Sequence, residues 1–124
     1  MVLLSGVMDT VWRSLDAAGF AVFEEHFGRF FEAFHSTWGL LTVGLAAGIG
    51  EEILYRGAIQ PKLGLLPTSI LFAVIHSYYG LSPAFAWIFL LGLGLGYLRK
   101  KTDTTTCILF HAVYNMFSFF MGTQ

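Results

Sequence analysis

Three stretches of this chain contain no Asp, Glu, Lys or Arg: Ala33–Gly50, Leu63–Leu98 and Thr104–Gln124, which are 18, 36 and 21 residues long. A run of about 20 apolar residues is enough to cross a bilayer core of about 30 Å. Only 12% of the 124 residues are charged and 56% are hydrophobic, where a soluble domain carries about 25% charged residues. The sequence therefore predicts a single integral membrane domain. With seven Lys+Arg against eight Asp+Glu, no basic stripe marks a nucleic-acid partner. A single cysteine rules out an internal disulfide framework and a multi-cysteine zinc site. The first basic residue is Arg13, and Asp9 precedes it, so no secretory signal peptide is expected.

The predicted fold is an all-α helical bundle with about four core transmembrane helices. Residues 1–36 form an amphipathic N-terminal helical segment and residues 37–124 the core. In the lead, Leu4, Val7, Met8, Val11, Leu15, Ala18 and Val22 recur at helical spacing. Phe23, Phe27, Phe30, Phe31 and Phe34 make a second apolar face. This predicts one or two helices lying on the membrane or against the bundle. The spans are expected at Thr37–Ala58, Pro67–Tyr79, Pro83–Leu98 and Thr104–Met121, with Pro67 as an early helical residue and Ser82-Pro83 as a cap. Residues 56–62 hold Arg56 and Lys62, and residues 99–101 hold Arg99, Lys100 and Lys101. The positive-inside rule puts both connections on the cytoplasmic side of a multi-pass protein, with Trp38, Tyr78 and Tyr79 at the opposite interface. The small size suggests the inner membrane of a prokaryote.

These spans contain polar residues that ordinary packing does not explain. Glu51, Glu52 and Arg56 fall in the first, His76 in the second, and His111 and Asn115 in the fourth. One charged group near the bilayer centre costs about 2.5–3.5 kcal/mol on insertion scales. At about 1.5 Å per residue, Glu51, His76 and His111 each lie roughly 10–14 Å in from the cytoplasmic end of their helices, and Asn115 about 18 Å. Three helices thus place polar groups in one layer.

The spacings give these groups different roles. Glu52 and Arg56 are i, i+4 and share a face, so Arg56 can hold Glu52 ionised. Glu51 is rotated by about 100° from Glu52 and lacks that partner, which leaves it to act as a general base. In the mechanism these residues predict, Glu51 takes a proton from water that His76 helps to hold. His111 and Asn115, also i, i+4, donate hydrogen bonds to the oxyanion formed when that water attacks a carbonyl. The asparagine cannot titrate and suits a donor. Cys107 could share a face with His111, but nothing else near it in sequence would activate a thiol.

The same residues resemble a known family. Glu51-Glu52-Ile-Leu-Tyr-Arg56-Gly57 is similar to the EExxxR motif of the CPBP intramembrane proteases, the CAAX proteases and bacteriocin-processing enzymes also called Abi proteins. Phe72-Ala-Val-Ile-His76 resembles their FxxxH, and His111-Ala-Val-Tyr-Asn115 their HxxxN. Order and spacing agree, and the resemblance covers about Leu40 to Phe119. It implies proteolysis within the membrane, typified by the type II CAAX-prenyl endopeptidases. Glu51 and His76 would activate water, His111 and Asn115 would form the oxyanion hole, and Glu52 and Arg56 would support the site. The substrate would be a membrane-associated peptide or protein, prenylated or bearing a C-terminal sorting tail. Members commonly have six to eight spans, against four here.

Other readings compete with this one. Glu51, His76 and His111 could bind zinc or another divalent metal with one position open, although the leading reading requires no cofactor. Glu51, Glu52 and Arg56 could be an ion-pair knot that fixes register. Intramembrane Glu and His also mark ion carriers, and some relatives of this type are proposed to act in immunity without catalysis. Phe72, Cys107, Gly92, Gly94, Gly96 and the pair Gly44 and Gly48 are read as packing, the glycines letting helices approach. His26 and His35 are read as solvated.

Overall fold

In a computed structural model the described residues, 5–32, 34, 36–76 and 81–122, are helical nearly throughout. Helix α1 (Ser5–Leu15) and α2 (Ala17–Glu32) precede α3 (Thr37–Glu52). A π-helical segment (Ile53–Ile59) continues α3 directly into α4 (Gln60–Leu63), and α5 (Leu65–Val74), α6 (Pro83–Lys101) and α7 (Thr104–Gly122) complete the chain. The helix starts follow local chemistry. Ser36 accepts from the Gly39 N–H at 3.0 Å, Ser82 from Phe85 N–H at 3.3 Å and Asp103 from Thr106 N–H at 2.7 Å, which satisfies donors that have no partner inside the helix. Between α4 and α5 the chain turns at Gly64, with φ +84°, where a side chain would be strained.

Two antiparallel pairs organise the core. In the first, α3 packs on α7: a Cβ at Gly48 would stand 3.0 Å from the Ala112 nitrogen and 3.1 Å from its Cα. One turn away, a Cβ at Gly44 would meet Asn115 and Met116 at 3.6 Å. In the second, α5 packs on α6, with Ser69 and Phe72 against Gly92 and Leu65 against Gly96. The Gly44/Gly48 and Gly92/Gly96 expectations hold, because backbones approach where Cβ atoms are missing. Gly94 differs: it faces away, with nothing within 4 Å of its Cβ position. Between α6 and α7, Trp87 Nε1 donates to the Tyr114 hydroxyl at 2.9 Å, and the buried Cys107 thiol lies 3.5 Å from the Leu95 carbonyl.

Several expectations are corrected. No helix of the described residues is long and apolar enough to cross a membrane. The first expected span gives way to the π-helical segment at Ile53. The second stops at Val74, because the chain tightens into a turn in which His76 N–H bonds the Ala73 carbonyl at 3.0 Å. The third ends in Arg99, Lys100 and Lys101, and threonines, His111 and Asn115 interrupt the fourth. Arg56 is not a loop residue but fully buried, which leaves Lys62 as the basic residue of the first connection. Tyr78, Tyr79 and His35 lie outside the described residues.

The amphipathic lead is two helices, broken at Asp16, whose Oδ1 accepts from the Gly19 N–H at 2.9 Å. Its buried face is not the expected one. Val11, Leu15, Ala18 and Val22 are exposed, while Trp12 and Phe20 are buried in one cluster with Tyr55, Phe72, Ala73 and Ile88, and Phe23 packs against it. The large rings win the interior because they bury the most area per residue. The side chains of Leu4, Val7, Met8, Phe27, Phe30 and Phe31 lie outside the described set. His26 is exposed, as expected, with Nδ1 2.8 Å from the Val22 carbonyl.

Candidate active site

The end of α3, the turn after α5 and the middle of α7 meet in a cluster of ionisable groups. Glu51 stands between two imidazoles, with Oε1 3.9 Å from His76 Nε2 and Oε2 4.0 Å from His111 Nε2. Both separations exceed a direct hydrogen bond. The other nitrogen of each ring is held. His76 Nδ1 lies 2.7 Å from the Phe72 carbonyl and His111 Nδ1 2.8 Å from Glu52 Oε1. A carbonyl can only accept, and so can an ionised carboxylate, so each Nδ1 is the donor. This turns both Nε2 atoms toward Glu51.

Glu52 has no solvent exposure, and it bridges His111 to Arg56. Arg56 Nε lies 3.2 Å from Glu52 Oε2, close enough for an ion pair but not aligned for a hydrogen bond. Arg56 Nη2 donates to the Gly92 carbonyl at 3.1 Å, and its guanidinium stacks 4.7 Å from the Phe72 ring centre. Removing one member of a buried pair leaves the other charge uncompensated, at a cost of about 3–5 kcal/mol. The i, i+4 pairing expected of Glu52 and Arg56 is present, but on a π-helical backbone. Such segments are rare, and they recur at functional sites.

The structure thus gathers Glu51, Glu52, Arg56, His76 and His111. Asn115 lies one turn along α7, where its Nδ2 reaches the Gly44 carbonyl at 3.5 Å, so it faces α3 on the same side as His111, and among the described residues its side chain makes no hydrogen bond to the other five. Phe72 does more than fill space: its ring lies 5.3 Å from Tyr55, 5.0 Å from His76 and 6.1 Å from His111, centre to centre. It forms the apolar wall against which the polar groups are ordered.

Gln60 was not singled out by the sequence. It is buried, and its Nε2 donates to the Gly96 carbonyl at 2.7 Å. A signal existed: Arg56 and Gln60 are i, i+4, as are the glycines Gly92 and Gly96 that receive them.

The metal alternative can be tested against these distances. Donors around a tetrahedral zinc, at bonds of about 2.0–2.1 Å, lie about 3.3 Å apart. The 3.9 and 4.0 Å separations of Glu51 from His76 and His111 are wider. Among the described residues no group of three or more His, Cys, Asp or Glu is placed to hold a metal ion. Glu51, His76 and His111 as placed do not fit a zinc.

An all-helical chain with a buried carboxylate–imidazole–guanidinium cluster at the meeting of three elements is the class that this fold and site define. A family model described as type II CAAX prenyl endopeptidase Rce1-like matches residues 33–117, more than half of the chain and all six of the expected site residues. The chain belongs to this Rce1-like family. No curated protein and no solved structure matches it.

Proposed function

We propose that the chain is a membrane-embedded endopeptidase that hydrolyses a peptide bond with a water activated by Glu51. One observation carries the reading: the Glu51 carboxylate and two histidine Nε2 atoms face each other across 3.9 and 4.0 Å. Two hydrogen bonds of about 2.8 Å meeting at a single water span such a gap. Family membership supports the reaction class, since the family description names a prenyl endopeptidase.

The steps balance as follows. Water held by Glu51 and His76 attacks the scissile carbonyl carbon, and its proton passes to Glu51. The carbonyl oxygen becomes an oxyanion that accepts hydrogen bonds from His111 and Asn115. The intermediate collapses as Glu51 returns the proton to the leaving nitrogen, so that the C–N bond breaks and a carboxyl and an amine remain. With Nδ1 on Glu52, His111 can donate only from Nε2, which requires the doubly protonated ring. Glu51 and Glu52 as carboxylates, with Arg56 and His111 as cations, then sum to zero charge. Asn115 exchanges its long contact with Gly44 for the oxyanion.

The membrane reading rests on the surface. Trp38, Ile53, Leu63, Leu66, Leu90, Leu109, Phe110 and Val113 are all more than half exposed, while Glu52, Arg56 and His111 are buried. Apolar outside and ionic inside suits lipid as the surrounding medium. A prenylated C-terminal peptide, anchored in that medium by its own lipid, is the substrate class proposed.

The test compares wild type with Glu51→Gln in membranes given a prenylated CAAX peptide, with and without chelator. Glu51→Gln removes the base and hardly changes shape, so cleavage should vanish while the protein still folds. Cleavage retained by the variant rules out Glu51 as base. Cleavage lost on chelation and restored by zinc would make Glu51, His76 and His111 metal ligands after rearrangement.

A further inference from the structure

We infer that Gln60 is a positioning residue for Glu52: it latches the π-helical segment onto the backbone of α6 and so sets where Arg56, and through it Glu52, can stand. This rests on the proposed protease reading for its consequence in turnover, but not for the latch itself.

The geometry is a two-point clamp. Arg56 Nη2 donates to the Gly92 carbonyl at 3.1 Å and Gln60 Nε2 to the Gly96 carbonyl at 2.7 Å. Donors one turn apart meet acceptors one turn apart. A carbonyl has two lone pairs, so each glycine oxygen can serve its own helix and also take a side chain. Both acceptors are glycines for a steric reason. A Cβ at Gly96 would stand 2.9 Å from Gln60 Oε1 and closer still to Leu65 Cδ1, and one at Gly92 would stand 3.2 Å from the Phe72 ring that carries Arg56.

Gln60 also closes the π-helical segment through its backbone, since its N–H bonds the Tyr55 carbonyl five residues back. Backbone and side chain of one residue therefore fix both the winding of the segment and its seat on α6. Such winding has poorer packing than an α-helix and persists where the surroundings impose it. The path onward is short: Arg56 pairs with Glu52 at 3.2 Å, and Glu52 holds His111 at 2.8 Å. Arg56 reaches its neighbours by one hydrogen bond, to Gly92, and by stacking on Phe72, while its ion pair lies on its own helical path. The Gln60 amide is the second point that stops rotation about the first. Gln60 Oε1 is buried without a hydrogen-bond partner among the described residues, and the hydrogen bond that the side-chain amide makes there is the one from its Nε2.

Two variants test this. Gln60→Leu keeps the volume and removes the donor. Gln60→Glu can donate to the Gly96 carbonyl only when protonated, so it should approach wild type at low pH and lose the latch, at least as fully as Gln60→Leu, at high pH. The first readout is hydrogen exchange of the amides of residues 53–60 in the full chain in detergent, corrected for intrinsic rates. Gln60→Leu should speed exchange there by about tenfold, the order of one lost buried hydrogen bond, while α7 stays within twofold. The second readout is turnover on the prenylated peptide, where kcat should fall about tenfold with KM within twofold, and Gln60→Glu should recover as pH falls. Unchanged exchange at residues 53–60 in Gln60→Leu overturns the latch. So does acceleration spread equally over the molecule, or a Gln60→Glu variant with no pH dependence beyond that of wild type. If wild type itself cleaves nothing, the protease reading fails, and the exchange data still decide the latch.

Discussion

At the scale of single residues, adjacent carboxylates have been given different neighbours. Glu52 is fully buried between an imidazole and a guanidinium, while Glu51 is partly exposed and faces two ring nitrogens across a gap. One rotation step of a helix, about 100°, produces that difference, which is why it could be read from the order Glu51-Glu52 and the placing of Arg56. The partners of His111 could not, because Nδ1 and Nε2 are indistinguishable in sequence. Only the approach of α3 to α7 shows that Glu52 takes one nitrogen and leaves the other facing Glu51. Asn115 is the residue whose role most needs measurement, since the hydrogen bond that its side chain makes among the described residues is the 3.5 Å one from Nδ2 to the Gly44 carbonyl. Asn115→Ala should lower kcat by about 10²–10³-fold, the usual effect of losing one oxyanion donor, with KM little changed. A loss below about fivefold would leave Asn115 as a packing contact between α3 and α7 and return the oxyanion to His111 and the backbone.

At the scale of elements, site geometry depends on how closely helices approach, and glycines control that. Gly48 and Gly50 form a matched pair on α3. A Cβ at Gly48 would press on the Ala112 backbone at 3.0–3.1 Å, and one at Gly50 meets nothing within 4 Å. Gly48→Ala should therefore push α7 outward, cost about 1–3 kcal/mol by overpacking and reduce turnover by moving His111 from Glu52. Gly50→Ala should gain about 0.5–1 kcal/mol from helix propensity and keep activity. Thermal melting in detergent with paired turnover assays checks both, and equal behaviour of the two variants would refute the close approach. The start of α7 offers a pH-dependent counterpart. Hydrogen bonds from the Thr106 backbone and side chain hold the Asp103 carboxyl below the ordinary aspartate value of 3.8. Because the folded value is the lower one, the cap's contribution is complete above about pH 4 and fades as pH falls through the folded value. Asp103→Asn should lose that acid-side dependence, measured as the shift of melting temperature between pH 6 and pH 3. The start of α6 was legible because a cap is local: Ser82-Pro83 acts within a few residues, whereas the caps at Ser36 and Asp103 and the turn at Gly64 emerge only from the structure. The π-helical segment was not legible either, because nothing in Ile53–Ile59 itself demands it. Its side-chain bonds run to a distant pair of carbonyls on α6, just as the buried face of α1 and α2 is decided by where Trp12 and Phe20 find room against Tyr55 and Phe72.

At the scale of the whole molecule, the short helices and the inverted surface bear on one question, how the chain sits with respect to lipid. The ten residues of α5 rise about 15 Å, half of a bilayer core of about 30 Å, and His76 lies just beyond their end. At the other end of α5 lie Gly64 and Lys62, and the antiparallel neighbour α6 brings Arg99, Lys100 and Lys101 to the same side. From that side His111 is about 12 Å deep, counted from Asp103. If the basic residues mark the headgroup level, the Glu51 cluster lies near the bilayer midplane, where a lipid-anchored peptide would have to bring its scissile bond, and where the exposed Leu109, Phe110 and Val113 of α7 would meet acyl chains. A chain merely adsorbed through its basic residues would have the same charges but a different response to extraction. The protein should stay with membranes in 1 M salt, which screens charge beyond about 3 Å, and also in alkaline carbonate, which strips proteins not embedded in the hydrocarbon; only detergent should release it. Release by salt would mean attachment through Lys62 and Arg99–Lys101 alone. Release by carbonate but not by salt would mean that α1 and α2 or another apolar face rests on the bilayer without entering it, and the cluster would then work on substrates presented at the surface.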